Sequence, residues 1–192
     1  MPNTYYVADG SSEEEVINTM LRQFDQDVFK GIFQGQKAEW ADLLDRYGAY
    51  LTTEYGVQLR DIIKYASIVE RETVLDDERP KVAAVIYNRL EKGMKFQMCS
   101  TVQYVLGKQK DNLTYADLEI DSPYNSYKYN NIPGPICSPG MASIKAAFYP
   151  SDENYLYFVV SEKLDGSMNF SSDYNQFLKD KAAYDKAYRA AH

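Results

Sequence analysis

The sequence predicts an α+β fold, with a mainly helical body and a small antiparallel sheet towards the C-terminal half. Three features predict it. Apolar residues recur at helical spacing through much of the chain. A run rich in β-branched and aromatic residues, YLYFVVSEK (155–163), leads into a turn at Asp165-Gly166 and a returning MNFS. No internal repeat or low-complexity linker divides the 192 residues. A single domain spanning 1–192 is therefore expected, and a chain of that length buries roughly 70% of the surface it exposes when unfolded.

The elements follow in order. Residues 11–30 read as an amphipathic helix, with Ser11 or Ser12 as cap and Glu14 or Glu15 completing a capping box. Val16, Met20, Phe24 and Val28 form its apolar stripe. A second helix is expected over 37–49. The run VQLRDIIKYASIVERETVL (57–75) reads as a third, with Leu59, Ile62, Ile63, Ala66, Val69 and Thr73 near one face. Asp76-Asp77 interrupts the pattern and can cap a fourth helix. That helix carries Pro80 in its first turn, Gly93 as its stop, and Val82, Val85, Ile86 and Leu90 as its buried stripe. Short helices are expected over 101–107, 114–119 and 142–149, and a final polar helix over 173–190. The Pro- and Gly-rich stretch YNSYKYNNIPGPICSPG (124–140) reads as a functional loop.

Composition excludes several function classes. A net charge of −7 argues against nucleic-acid binding, whose footprint is basic. The one histidine, His192, is the last residue, which removes a His-based zinc site or a Ser-His triad. No stretch reaches the ~20 apolar residues of a membrane span. No leader is visible, and the start MPNTYYVADG reads like the interior of a longer protein. Tyrosine is the outlier, at 18 residues against one Trp. Its rings suit packing, and equally a groove that stacks on sugar faces.

The carboxylates of SIVERET point to chemistry. On a helix, Glu70 and Glu72 diverge by about 200°, so they cannot pair on one face. Glu72 has Ile68, Val69 and Leu75 as neighbours, an apolar side that favours a neutral, protonated carboxyl. A protonated Glu is what a general acid needs to cleave a glycosidic bond, as in lysozyme. Glu70 has the more polar neighbours Ser67 and Thr73. The residue pattern alone leaves open that both are solvated acids paired with Arg71 or Lys64.

The stretch ASIVERETVLDDERPKVAAVIYNRLEKGMKFQ resembles the signature of the YceG-like (MltG) family, membrane-anchored endolytic transglycosylases of peptidoglycan. The resemblance continues through STVQYVLG, ADLEIDSPYNSY, NIPGPICSPG, SIKAAFYP and FSSDYNQF. It implies a lysozyme-like active-site helix in which Glu72, second acid of the E-x-E-T run, is the catalytic acid/base. Glu70 and Thr73 are possible auxiliaries. It further implies substrate contacts at Gln97, Thr101, Tyr124, Asn125, Tyr127 and, in the Pro/Gly-rich loop, Ser138. Where the family's run reads L-Q-x-D-P-T-V, this chain has FQMCSTV, with Cys99 and Ser100 replacing Asp and Pro. Family histidines near the C-terminus correspond to Met168 and Phe177. Cys99 and Cys137 fall in segments that flank one cleft, and export would permit a disulfide between them.

The implied reaction cleaves the bond between N-acetylmuramic acid and N-acetylglucosamine and closes a 1,6-anhydro ring. It needs no metal and no organic cofactor. The implied partners are glycan strands and cell-wall synthases, at the outer face of the bacterial cytoplasmic membrane. The family's membrane anchor and LysM-like lobe are not expected in this chain. Three other readings remain: a non-catalytic glycan-binding scaffold module, a true hydrolase, and an aminodeoxychorismate lyase. The lyase would need pyridoxal phosphate and a phosphate cradle, and no glycine-rich phosphate loop occurs.

Overall fold

The computed structural model describes residues 1–28, 59–110 and 112–191, and the helix expected over 37–49 lies outside them. The described fold is α+β, as the sequence predicts. Helices α1 (Glu13–Phe24), α2 (Leu59–Glu72), α3 (Arg79–Glu91), α4 (Cys99–Leu106), α5 (Tyr115–Leu118) and α6 (Met141–Phe148) precede a hairpin. Its strands are β1 (Tyr157–Val160) and β2 (Met168–Ser171), and helix α7 (Tyr174–Ala191) closes the chain.

Helix α2 is the axis of the molecule. Its sequence suggests one buried face, yet every residue from Lys64 to Val69 is buried. The reason is that α3, α4 and α6 all pack against it. Tyr65, Ile68 and Val69 face the main core beside Val82, Val85 and Ile86 of α3, and Tyr65 meets Tyr87 and Phe96 edge-on. Ile62 and Ala66 face a second core with Ile144, Ala147 and Phe148 of α6. Lys64, buried in this crowd, keeps a 2.7 Å bond to Asp61.

Helix α1 begins where expected, with Ser12 and Glu15 forming the capping box. Its predicted stripe is only partly used. Val28 and Phe24 join the second core, whereas Met20 is exposed. The helix thus leans on the body through its C-terminal end.

The expected strand over 155–163 is shorter than predicted. Strands β1 and β2 pair antiparallel, with Tyr157 opposite Ser171 and Val160 opposite Met168. Two strands alone are marginal in water. Here Phe158, Met168 and Phe170 pack on the main core, and α7 lies along the hairpin.

Helix α2 ends at Glu72 because Thr73 turns the chain. Its hydroxyl accepts from the Leu75 N–H at 3.1 Å, an alternative to helix continuation. That hydroxyl donates to Glu78 Oε2 at 3.0 Å, and Glu78 Oε1 accepts from the Met168 N–H at 2.8 Å. Glu78 is the N-cap residue of α3, but its side chain makes no capping bond. The expected cap at Asp76-Asp77 is therefore not what starts α3. Glu78 turns inward and ties the end of α2 to the hairpin. Glu78→Ala would strand one buried and one half-buried donor and is expected to cost about 2–3 kcal/mol. Chemical denaturation checks this, and a loss below about 0.5 kcal/mol, ordinary for surface changes, would contradict it.

Candidate active site

Glu72 stands where α2 ends and α4 begins its first turn. The carboxyl is half-buried. Its Oε1 accepts from the Ser100 N–H at 3.0 Å. Ser100 is the second residue of α4, and the first N–H groups of a helix lack intrahelical acceptors and carry partial positive charge. No hydrogen bond to Oε2 occurs among the described residues, so that oxygen is available. Burial pushes the carboxyl's pKa above its ordinary value of 4.5, while Ser100 and the Arg71 charge pull it back less strongly. A carboxyl so placed holds its proton more readily than a solvated one and still has a donor waiting for its anion.

Cys99 and Tyr127 stand beside it. Their Sγ and phenolic oxygen are 3.2 Å apart. Burial is the main cause raising both pKa values, and the Glu72 charge adds to each. Both groups are therefore neutral neighbours of Glu72. Gln97 is exposed and holds φ 53, a left-handed conformation rare for residues with a Cβ. Such backbone persists where its surroundings impose it, often at functional sites. Here the Gln97 N–H donates to the Ser126 carbonyl at 3.1 Å and its Oε1 accepts from Arg89 at 3.1 Å.

Two expected sugar contacts lie inside instead. Asn125 is fully buried, and its amide donates to the Leu118 and Ile120 carbonyls, both at 2.8 Å. Its Oδ1 accepts from the Tyr127 N–H at 3.0 Å. The group that suits a sugar hydroxyl is spent on the backbone. Thr101 is likewise buried, with its hydroxyl bonded to the Met98 carbonyl and to Ser126 Oγ. Ser126 Oγ also accepts from the Met98 N–H at 2.9 Å. Asn125, Ser126 and Thr101 thus form the buried knot that fixes the start of α4, and through it the Ser100 N–H.

The other candidates are spread around α2. Tyr124 is half-buried, its ring 4.8 Å from that of Tyr104 and its hydroxyl tight against Gly134. Ser138 is exposed and lines a cavity of about 270 Å³ with Met1, Phe24, Ile63 and Ile144, whose lining does not include Glu72. Glu70 points elsewhere from Glu72, as helical geometry requires. Its Oε2 accepts from the Gly140 N–H at 3.0 Å and from Ser143 Oγ at 2.6 Å, with Arg79 at 3.5 Å. It therefore caps the N-terminus of α6 from a distance.

A profile of the YceG-like family matches residues 1–183. The chain belongs to the YceG-like family. It is 35% identical over 187 residues to the endolytic murein transglycosylase of Bacillus subtilis, covering 95% of this chain and 46% of that protein. The endolytic murein transglycosylase of Streptococcus pneumoniae is 29% identical over 164 residues, 82% of this chain and 27% of its own. A crystal structure of a YceG-like protein from Listeria monocytogenes aligns with a TM-score of 0.68 at 34% identity, over 91% of this chain and 52% of that one. This YceG-like chain spans about half the length, or less, of the relatives it matches.

Against the family pattern, Met168 and Phe177 serve packing. Met168 joins the main core, and the Phe177 ring stacks at 5.4 Å on Tyr157 and at 5.8 Å on Tyr174. The disulfide between Cys99 and Cys137 is not formed. Cys99 faces Tyr127, whereas Cys137 Sγ lies 3.4 Å from the Ser67 carbonyl.

Sequence reasoning missed Arg89. It is buried, and it donates to the Leu156 carbonyl at 2.7 Å, to the Lys95 and Phe96 carbonyls at 3.0 and 2.7 Å, and to Gln97. The signal was present: Arg89 falls on the buried spacing set by Val82, Val85 and Ile86. It clamps the loop that delivers Gln97 and Ser100.

The raised Glu72 pKa has a sign for stability. Between pH 4.5 and its folded value, the native state binds more protons than the unfolded chain, so stability falls as pH rises through that window. Glu72→Gln keeps an acceptor for Ser100 and removes the buried charge. Thermal unfolding across pH 4–8 should show the variant more stable at pH 7, with the gap closing towards pH 4.5. Equal midpoints at pH 7 would contradict the burial.

Proposed function

We propose that this chain is the catalytic domain of an endolytic murein transglycosylase, a lyase acting on peptidoglycan glycan strands. The observation that carries the reading is Glu72: a lone half-buried carboxyl with a raised pKa, one oxygen held by the Ser100 N–H and the other free. The names of the Bacillus and Streptococcus relatives support it, as does the second acid of SIVERET falling at that position.

In the proposed reaction, protonated Glu72 donates from Oε2 to the oxygen joining N-acetylmuramic acid to N-acetylglucosamine. The bond breaks through an oxocarbenium-like state, and the departing sugar leaves as an alcohol. Glu72 is now a carboxylate, stabilised by the Ser100 N–H. It takes the proton from the C6 hydroxyl of the same muramic acid, whose oxygen attacks C1 and closes the 1,6-anhydro ring. Glu72 ends protonated, so the cycle balances with one carboxyl. An inverting hydrolase would need a second carboxylate to activate water, and a retaining one a nucleophile about 5 Å away. Glu70, committed to Gly140 and Ser143, supplies neither.

In this reading Gln97 and Tyr127 contact sugar, while Thr101 and Asn125 act through the loop they hold. Strand cleavage by such a domain would end the elongation of nascent glycans. It would work beside wall synthases at the outer face of the cytoplasmic membrane. No helix among the described residues is long and apolar enough to cross a membrane.

Mass spectrometry of digested glycan strands tests the proposal. The wild-type chain should release 1,6-anhydro ends, and Glu72→Gln should lower their formation at least about 10³-fold, on the scale of losing an essential acid/base group. Reducing ends in place of anhydro ends would make it a hydrolase. Binding without cleavage would make it a scaffold module. Full activity of the variant would remove Glu72 from the mechanism.

A further inference from the structure

Ser100 offers Glu72 more than its backbone. The residue is 4% exposed, and its Oγ is buried without any hydrogen-bond partner. Buried hydroxyls are rarely left so, because a donor removed from water without a partner costs free energy. This one belongs to the residue whose N–H already holds Glu72 Oε1. The start of α4 is otherwise settled. Thr101 N–H reaches the Met98 carbonyl at 3.2 Å, and Met98 N–H reaches Ser126 Oγ at 2.9 Å.

We propose that Ser100 is a positioning residue whose hydroxyl turns to donate to Glu72 whenever that carboxyl ionises. The proposal rests on Glu72 cycling between acid and carboxylate, the reading given above. While Glu72 is protonated, one N–H bond suffices to hold it. Once its proton has gone to the leaving oxygen, the anion can accept more donors than the acid could. The Ser100 hydroxyl lies near enough to be the largest influence holding the Glu72 pKa down against burial, and one side-chain torsion turns it fully onto the anion. It would favour the carboxylate and so lower the pKa of Glu72 relative to a site without it.

The titratable groups facing Glu72 among the described residues are few. Arg71 comes from its own helix, Cys99 from α4 and Tyr127 from the start of the Pro- and Gly-rich stretch. Burial raises the pKa values of Cys99 and Tyr127, so neither changes charge while Glu72 titrates. A change in the Glu72 midpoint on altering Ser100 therefore reports on Ser100.

The test titrates Glu72 directly, in the full chain labelled with carboxyl ¹³C glutamate, the Glu72 signal being the one missing from Glu72→Gln. Ser100→Ala keeps the backbone N–H and removes only the hydroxyl. Its Glu72 midpoint should rise by about one pH unit, the scale of one hydrogen bond to a carboxylate. Ser100→Thr restores a hydroxyl and should return the midpoint towards the wild type, a rescue that a packing role would not give. Ser100→Cys, which keeps the shape but has a weak donor, should behave like Ser100→Ala. An unshifted midpoint in Ser100→Ala or in Ser100→Cys, with the fold intact by circular dichroism, would overturn the proposal. The readout needs no turnover. If the chain cleaves no glycan but the midpoint shifts, the transglycosylase reading fails and the role of Ser100 stands. If it cleaves glycan and the midpoint is fixed, the reverse holds.

Discussion

A single 3.0 Å hydrogen bond, from the Ser100 N–H to Glu72 Oε1, joins the end of the central helix to the start of α4, and much of the surrounding structure exists to hold it. Burial alone would leave Glu72 a reluctant anion. A helix N-terminus alone would leave it a permanent one. Placing the carboxyl at their junction gives a group that can be acid and base in turn. The bond is formed only if α4 starts at one point in space. That point is set by buried polar contacts, of which none touches Glu72. Asn125 pins its loop to the carbonyls of residues 118 and 120, Ser126 in that loop takes the Met98 N–H and the Thr101 hydroxyl, and Arg89 clamps residues 95–97. The contacts of Ser126 and the Arg89 bond to Phe96 are fully inside the protein, where a missing partner costs most.

The two acids of SIVERET show how one helix divides its labour. Two residues apart, they must face different neighbours. Glu70 takes the N-terminus of α6 through Gly140 and Ser143, which anchors the Pro/Gly-rich loop to α2. Glu72 takes the N-terminus of α4. Both carboxyls meet helix starts, but they end in opposite conditions. Glu70 Oε2 is held by a backbone N–H, a hydroxyl and the Arg79 guanidinium. Glu72 has one oxygen held and one free. The two carboxyls differ in the donors they meet: three groups converge on Glu70 Oε2, whereas one N–H meets Glu72 Oε1.

Much of the fold could be read from the sequence because it is written in period. Helices α2 and α3, the capping box of Ser12 and Glu15, and the hairpin all follow from apolar spacing and turn residues. The apolar side of Glu72 also predicted its burial. The loop over 97–140 could not be read in the same way. Asn125 and Thr101 have the donors and acceptors that suit a sugar, and the same groups suit a buried backbone. Without a period there is no sequence signal for which side of the chain faces in. Arg89 was overlooked for the opposite reason: it lies on a legible buried stripe, but a charged residue there reads as an exception until its four acceptors are seen. The thiols of Cys99 and Cys137, for which a disulfide was expected, bond to different partners.

In the proposed reaction Glu72 Oε2 is the oxygen presented to the scissile bond. A crystal structure of Glu72→Gln with a glycan-strand fragment bound is the sharpest test. A muramic acid is expected beside Gln97 and Tyr127, its glycosidic oxygen within about 3.2 Å of the side-chain atom replacing Oε2, the reach of a general acid. A fragment bound instead in the cavity between Phe24, Ile63 and Ser138, away from that atom, would contradict it.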